Sequence, residues 1–88
     1  MIERHTVIIN ELGLHARPAA QIVRIGATFT SSIELECDGS KVNGKSIMGV
    51  MMLAAECGAT LIIRTDGGDE EAAAAALVNL VASGFGER

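Results

Sequence analysis

Aromatic side chains are nearly missing from this sequence. Its 88 residues include two phenylalanines and no tyrosine or tryptophan, so it offers no platforms on which nucleobases could stack. Positive charge is scarce too: seven Lys and Arg stand against eleven Asp and Glu, a net charge of −4. Such a balance excludes the basic stripe that general nucleic-acid binding needs. No apolar run approaches the ~20 residues of a membrane span. The opening Met-Ile-Glu-Arg-His lacks the basic-then-apolar order of a secretory signal. A cytoplasmic protein that neither enters a membrane nor binds nucleic acid is the expectation. The two cysteines, Cys37 and Cys57, form no Cys-x-x-Cys pair and are too few for a metal centre. They are expected to be buried or half-buried thiols in a reducing compartment.

What remains is aliphatic, and the core must be built from Ile, Val, Leu, Ala and Met. A chain of this length makes one domain, residues 1–88, with no room for a second core. "IERHTVIIN" is β-branched and partly alternating, which predicts a strand from about Ile2 to Ile9. From Ala16 to about Ala27, Ala19, Ile22, Val23 and Gly26 recur at helical spacing. Pro18, the only proline, fits just the first turn of that helix, where its missing N–H has no partner to lose. "SSIELEC" sets Ile33, Leu35 and Cys37 against Glu34 and Glu36 in a half-buried strand. Asp38-Gly39 signals a hairpin turn into a short partner strand, "KVNG". Ser46 is a good N-cap for a helix from Ile47 to about Ala55, which Gly58 ends. "ATLIIRTDG" is a last strand, and Asp69 caps a final helix, "EEAAAAALVNLVASGFG", with Glu70 and Glu71 in its first turn. The order β-α-β-β-α-β-α predicts an α+β sandwich, a four-stranded sheet with helices on one face.

Chemistry gathers at "GLHARPAAQIV", Gly13 to Val23. His15 stands directly before the first helix. The amides of Ala16 and Arg17 open that helix without partners and make an anion site. Arg17 adds a planar guanidinium suited to phosphate oxygens. The helix dipole favours a neutral imidazole, the form that can attack phosphorus, and would stabilise the dianion once it is attached. His5, inside a strand with no proline or helix start beside it, reads as a sheet-face residue.

"GLHARPAAQIV" followed by "VNGKSIMGVMMLAAECGATL" resembles the histidine-containing phosphocarrier (HPr) family of the bacterial phosphotransferase system, across nearly the whole chain. The resemblance implies an open-faced β-sandwich: a four-stranded antiparallel sheet covered on one side by three helices. It also implies a stoichiometric carrier, not a turnover enzyme, with no cofactor. In it His15 would take a phosphoryl group on Nδ1 from enzyme I, which draws on phosphoenolpyruvate, and pass it to enzyme IIA domains. Those domains serve sugar uptake or a regulatory, nitrogen-type phosphorelay. Arg17 matches the family's active-site arginine. Ser46 matches the serine modified by an HPr kinase/phosphorylase in many bacteria. A mainly regulatory binding module controlled by Ser46 is the alternative, and the presence of both His15 and Arg17 argues against it. Glu11-Leu12 is less typical of the family, and Glu11 is expected to face solvent.

In the helix after Ser46, Ile47, Val50 and Ala54 fit one core-facing stripe, which leaves Met48, Met51 or Met52 outward. Methionines adapt to more than one partner, and with the family resemblance Ile47, Met48 and Met51 become the expected docking residues. Arg24, Lys41 and Lys45 could lend that surface positive charge. A monomer is expected.

Overall fold

The computed structural model describes residues 1–87. Strands β1 (Ile2–Val7), β2 (Ser32–Cys37), β3 (Ser40–Asn43) and β4 (Thr60–Asp66) alternate with helices α1 (Ala16–Gly26), α2 (Ile47–Met52) and α3 (Glu70–Ala82), and a short 3-10 turn spans Gly84–Gly86. The sheet order is β1-β4-β2-β3, antiparallel throughout, with Ile2 opposite Thr65, Leu35 opposite Ile63 and Cys37 opposite Ser40. This is the expected open-faced sandwich.

Side-chain alternation decides which sheet face is covered. Ile33, Leu35 and Cys37 of β2 and Leu61, Ile63 and Thr65 of β4 are buried. All but Thr65 join Ala19 and Ile22 of α1 and Leu77 and Val81 of α3 in one apolar core, and Ala73 and Ala74 of α3 are buried as well. Alanines on α3 let that helix lie close to the sheet. The opposite face is polar. Arg64 reaches Glu3 at 2.8 Å, Glu34 at 2.9 Å and Glu36 at 2.7 Å, while His5 Nε2 lies 2.9 Å from Glu3, on the sheet face as expected. His5 and Arg64 together hold the Glu3 carboxyl below the usual glutamate range. The β2–β3 hairpin turns on Asp38 (φ 50°) and Gly39 (φ 83°), two left-handed residues in the pattern that matches strand twist.

Several boundaries differ from the sequence expectation. β1 ends at Val7, although Ile8 still donates its N–H to Ala59 (2.9 Å). α2 stops at Met52, and the residue that turns the chain is Ala54, at φ 49°; Gly58 instead sits in the next turn and donates its N–H to Ile8 (2.7 Å). α2 is too short to bury a seven-residue stripe, so Val50 is buried with Leu53 and Ala55, whereas Ile47 and Ala54 are exposed. Cys37 is buried, but Cys57 is exposed because it lies in the surface turn between α2 and β4. α3 does not run on to Gly86: Gly84 and Phe85 take φ of 68° and 60° and reverse the chain.

Asp69 precedes α3, but its side chain caps nothing in that helix. Its carboxylate accepts the Thr30 and Ser31 N–H groups, both at 2.9 Å, and a short bond from the Ser31 hydroxyl. It thereby ties the α1–β2 turn to the start of α3. The Ser31 hydroxyl above all, then the Thr30 amide, holds the carboxyl down to about 2. A folded-state value below the unfolded one contributes stability that is full above the ordinary aspartate range and disappears as pH falls through about 2. Thermal melts from neutral to acidic pH should show Asp69→Asn melting lower than the parent at neutral pH, with the gap closing on acidification. A gap independent of pH would mean the carboxylate charge contributes nothing.

The histidine at the mouth of helix α1

The site is built on the β1–α1 loop. Gly13 takes φ 67°, a conformation glycine adopts without cost. Its N–H donates to the Asn10 carbonyl (3.1 Å), and Leu14 N–H donates to the Ala55 carbonyl (2.9 Å). Leu14 and Pro18 are buried and anchor the loop from both sides. His15 is left as the N-cap residue of α1 in extended backbone (φ −76°, ψ −171°), its side chain making no cap bond and its carbonyl accepting the Ala19 N–H at 3.0 Å. Among the described residues the Ala16 and Arg17 amides have no backbone acceptor, and the first turn of α1 contains no acidic residue. Arg17 is exposed at the same end. An imidazole, two amides without backbone acceptors and an exposed arginine thus stand together at the N-terminal end of α1.

A fifth group was not legible in the sequence. Glu87 Oε1 lies 2.9 Å from His15 Nε2 and accepts a hydrogen bond from Asn10 Nδ2 at 3.0 Å. The same Asn10 amide donates to the Gly13 carbonyl at 2.7 Å. Asn10 itself is buried, and its Oδ1 has no partner among the described residues. Hydrogen bonds from His15 first and Asn10 second, with Arg17 adding its charge, hold the Glu87 carboxyl below the usual glutamate range. Asn10 could have been suspected, since a buried Asn beside a glycine turn commonly ties down backbone. Glu87 carries no local signal. It lies 72 residues from His15, and only the reversed turn at Gly84 and Phe85 brings it back.

Ser46 is placed as expected: its Oγ accepts the Gly49 N–H at 3.2 Å, capping α2. Beyond it Ile47, Met48, Met51 and Met52 are exposed, Met52 most of all at 77%. Met52 and Leu12, the latter 73% exposed, are further exposed apolar side chains besides the expected Ile47, Met48 and Met51. α2 runs into the segment whose Ala55 carbonyl receives Leu14, so the methionines and His15 belong to neighbouring parts of one structure. Lys45 Nζ donates to the Phe29 carbonyl at 2.8 Å, in the turn that follows α1. Glu11 is exposed. A groove runs along the β2–β3 hairpin past Thr30, Glu34, Lys41 and Lys45 and includes no residue of the histidine loop.

Fold and site together define a small open-faced α+β domain with a partly exposed imidazole at the mouth of α1, apart from the grooves along the sheet. Residues 2–83 match the model of the family described as the PTS HPr component phosphorylation site. The phosphocarrier protein HPr of Cupriavidus necator is 49% identical over 87 residues, covering 99% of this chain and 98% of that protein. The crystal structure of HPr-C-His from Thermoanaerobacter tengcongensis superposes with a TM-score of 0.95 at 48% identity, covering 100% of this chain and 99% of that one. A crystal structure described as an HPr dimer from the same organism matches at TM-score 0.79 and 48% identity, over 99% of this chain and 100% of that one. The chain belongs to the HPr family of the phosphotransferase system. It is accordingly a phosphocarrier and not a catalytic enzyme.

Proposed function

We propose that His15 is the phosphoryl acceptor of this carrier, taking the group on Nδ1 from enzyme I and handing it to an enzyme IIA domain. The observation that carries this reading is the position of the imidazole at the N-terminus of α1, beside two amides without acceptors and an exposed arginine. Backbone N–H groups and the positive end of the helix dipole favour the dianion. The guanidinium of Arg17 is free to swing onto its oxygens. Ile47, Met48 and Met51 form the docking surface, with Met52 beside them. The carrier works as a cytoplasmic monomer in sugar uptake or in a nitrogen-type regulatory relay. The family's known dimer crystal makes the oligomeric state a point to measure directly.

The reading is tested by incubating the chain with phosphoenolpyruvate and enzyme I, then adding an enzyme IIA domain. The intact mass should rise by one acid-labile phosphoryl group and return to its starting value as the IIA domain gains it. A chain that takes up no group, or keeps the group it takes, would refute the carrier reading. Arg17→Ala should fold normally, since the side chain is exposed. It should slow transfer through His15 about 10- to 100-fold, as expected when one charge-assisted hydrogen bond no longer supports the transition state. Equal rates in stopped-flow transfer would leave Arg17 with no part in it.

Ser46 is the proposed regulatory phosphorylation site, modified by an HPr kinase/phosphorylase. A phosphate on a residue that already caps a helix N-terminus is electrostatically tolerated there. It would place charge next to the exposed methionines. Ser46→Asp preserves the cap and should leave the melting midpoint nearly unchanged. It should raise the KM for the carrier in the enzyme I reaction roughly 3- to 10-fold, with a smaller effect on kcat. A parental KM would mean that Ser46 acts only as a cap.

A further inference from the structure

The C-terminal turn has a feature that folding alone does not call for. Gly84, Phe85 and Gly86 take φ of 68°, 60° and 73° in succession. Left-handed backbone is unfavourable for phenylalanine, yet the Phe85 side chain is buried and holds the turn in place. Glu87 N–H closes the turn by donating to the Gly84 carbonyl at 3.0 Å. The outcome is a carboxylate only 19% exposed, delivered onto one nitrogen of the His15 ring and steadied by the Asn10 amide.

An ionised carboxylate has no proton to give, so the short approach requires a proton on His15 Nε2. Glu87 is ionised at neutral pH, because the donors around it hold its carboxyl low. The proton on Nε2 leaves the lone pair on Nδ1, which has no partner among the described residues. We propose that Glu87 is a positioning residue for phosphoryl transfer, fixing the His15 tautomer with Nε2–H and keeping Nδ1 as the nucleophile. The inference rests on the reading of His15 as the acceptor. In the step, the Nδ1 lone pair forms the bond to phosphorus while the bond from phosphorus to the donor's leaving atom breaks and that atom keeps the electron pair. The proton stays on Nε2, so the ring acquires a positive charge as the bond forms. The Glu87 carboxylate faces that charge across the Nε2–H. On transfer to the next acceptor the Nδ1–phosphorus bond breaks, the electron pair returns to Nδ1, and the ring becomes neutral again. One hydrogen bond therefore serves both directions, acting on the side of the ring away from the phosphoryl group.

The test uses the full chain with 15N-labelled histidine, at a pH where the ring is neutral. In the parent, Nε2 should resonate as a protonated nitrogen and Nδ1 as a bare one. Glu87→Ala should shift both resonances toward the average of two tautomers and slow phosphoryl uptake from enzyme I about tenfold, as expected for one charge-assisted hydrogen bond. Glu87→Gln retains an oxygen that can accept Nε2–H. It should keep the parental tautomer and recover part of the rate, with the remaining deficit reflecting the missing charge. Parental ring shifts in Glu87→Ala, or a parental uptake rate, would each overturn the proposal. His15→Ala run in parallel separates the two readings: uptake persisting there removes His15 as acceptor, whereas uptake abolished there and unchanged in Glu87→Ala removes only the role of Glu87.

Discussion

His15→Ala is expected to take up no phosphoryl group from phosphoenolpyruvate and enzyme I while melting close to the parent protein. The loss should be complete because the lone pair that bonds phosphorus belongs to this one ring. The other histidine cannot replace it. His5 sits on the polar face of the sheet inside β1, paired with Glu3 and away from any helix N-terminus. The fold should survive because the His15 side chain caps nothing in α1 and is only half-buried; the helix is entered through Leu14 and Pro18, both buried. Intact mass before and after incubation, together with a thermal melt, checks both halves. Undiminished uptake in the variant would move the acceptor elsewhere, and a collapsed melt would show that His15 has a structural role.

Gly13→Ala should have the opposite profile, with the chemistry intact in principle but the platform beneath it disrupted. Gly13 lies at φ 67°, and a Cβ there would collide with the Ala55 carbonyl oxygen and stand 2.9 Å from Glu56 Cα. Both obstacles are backbone, so neither can rotate away. Relief requires the β1–α1 loop to separate from the segment after α2. That separation breaks the Leu14–Ala55 hydrogen bond and lifts Leu14 from the core. The left-handed strain and the clash together should cost about 2–4 kcal/mol. A domain of this length has a total of order 5–10 kcal/mol. Urea titration should show a large fall in midpoint, and the folded fraction should accept phosphate more slowly because His15 and the Ala16 amide are displaced. A midpoint within experimental error of the parent would mean that the loop does not rest on Ala55 as described.

How far the sequence discloses this molecule depends on the range of each interaction. Features set by neighbours were legible: the Asp38-Gly39 hairpin, the alternation of Ile33, Leu35 and Cys37, Pro18 in the first turn of α1, and Ser46 as a cap. Each follows from steric or hydrogen-bonding rules spanning a few residues. Features set by tertiary structure were not. Asp69 has the composition of a cap, yet it is recruited by Thr30 and Ser31, nearly forty positions away. Ala54 ends α2 in a conformation its type does not favour, because the Ala55 carbonyl must face Leu14. Gly58 looked like the terminator only because glycine usually is one. At the site, His15, the Ala16 and Arg17 amides and Arg17 were readable because they are consecutive. Asn10 and Glu87 complete the arrangement through the fold, and no window of sequence contains both Glu87 and the ring it touches.

The central claim is that this domain holds a phosphoryl group on Nδ1 of His15. Phosphorus and nitrogen NMR of the phosphorylated, 15N-histidine-labelled chain tests it most directly. A single phosphoramidate resonance coupled to Nδ1 of His15, disappearing on mild acidification, is the predicted result. A phosphoester resonance, a signal coupled to the His5 ring, or coupling to Nε2 of His15 would contradict it.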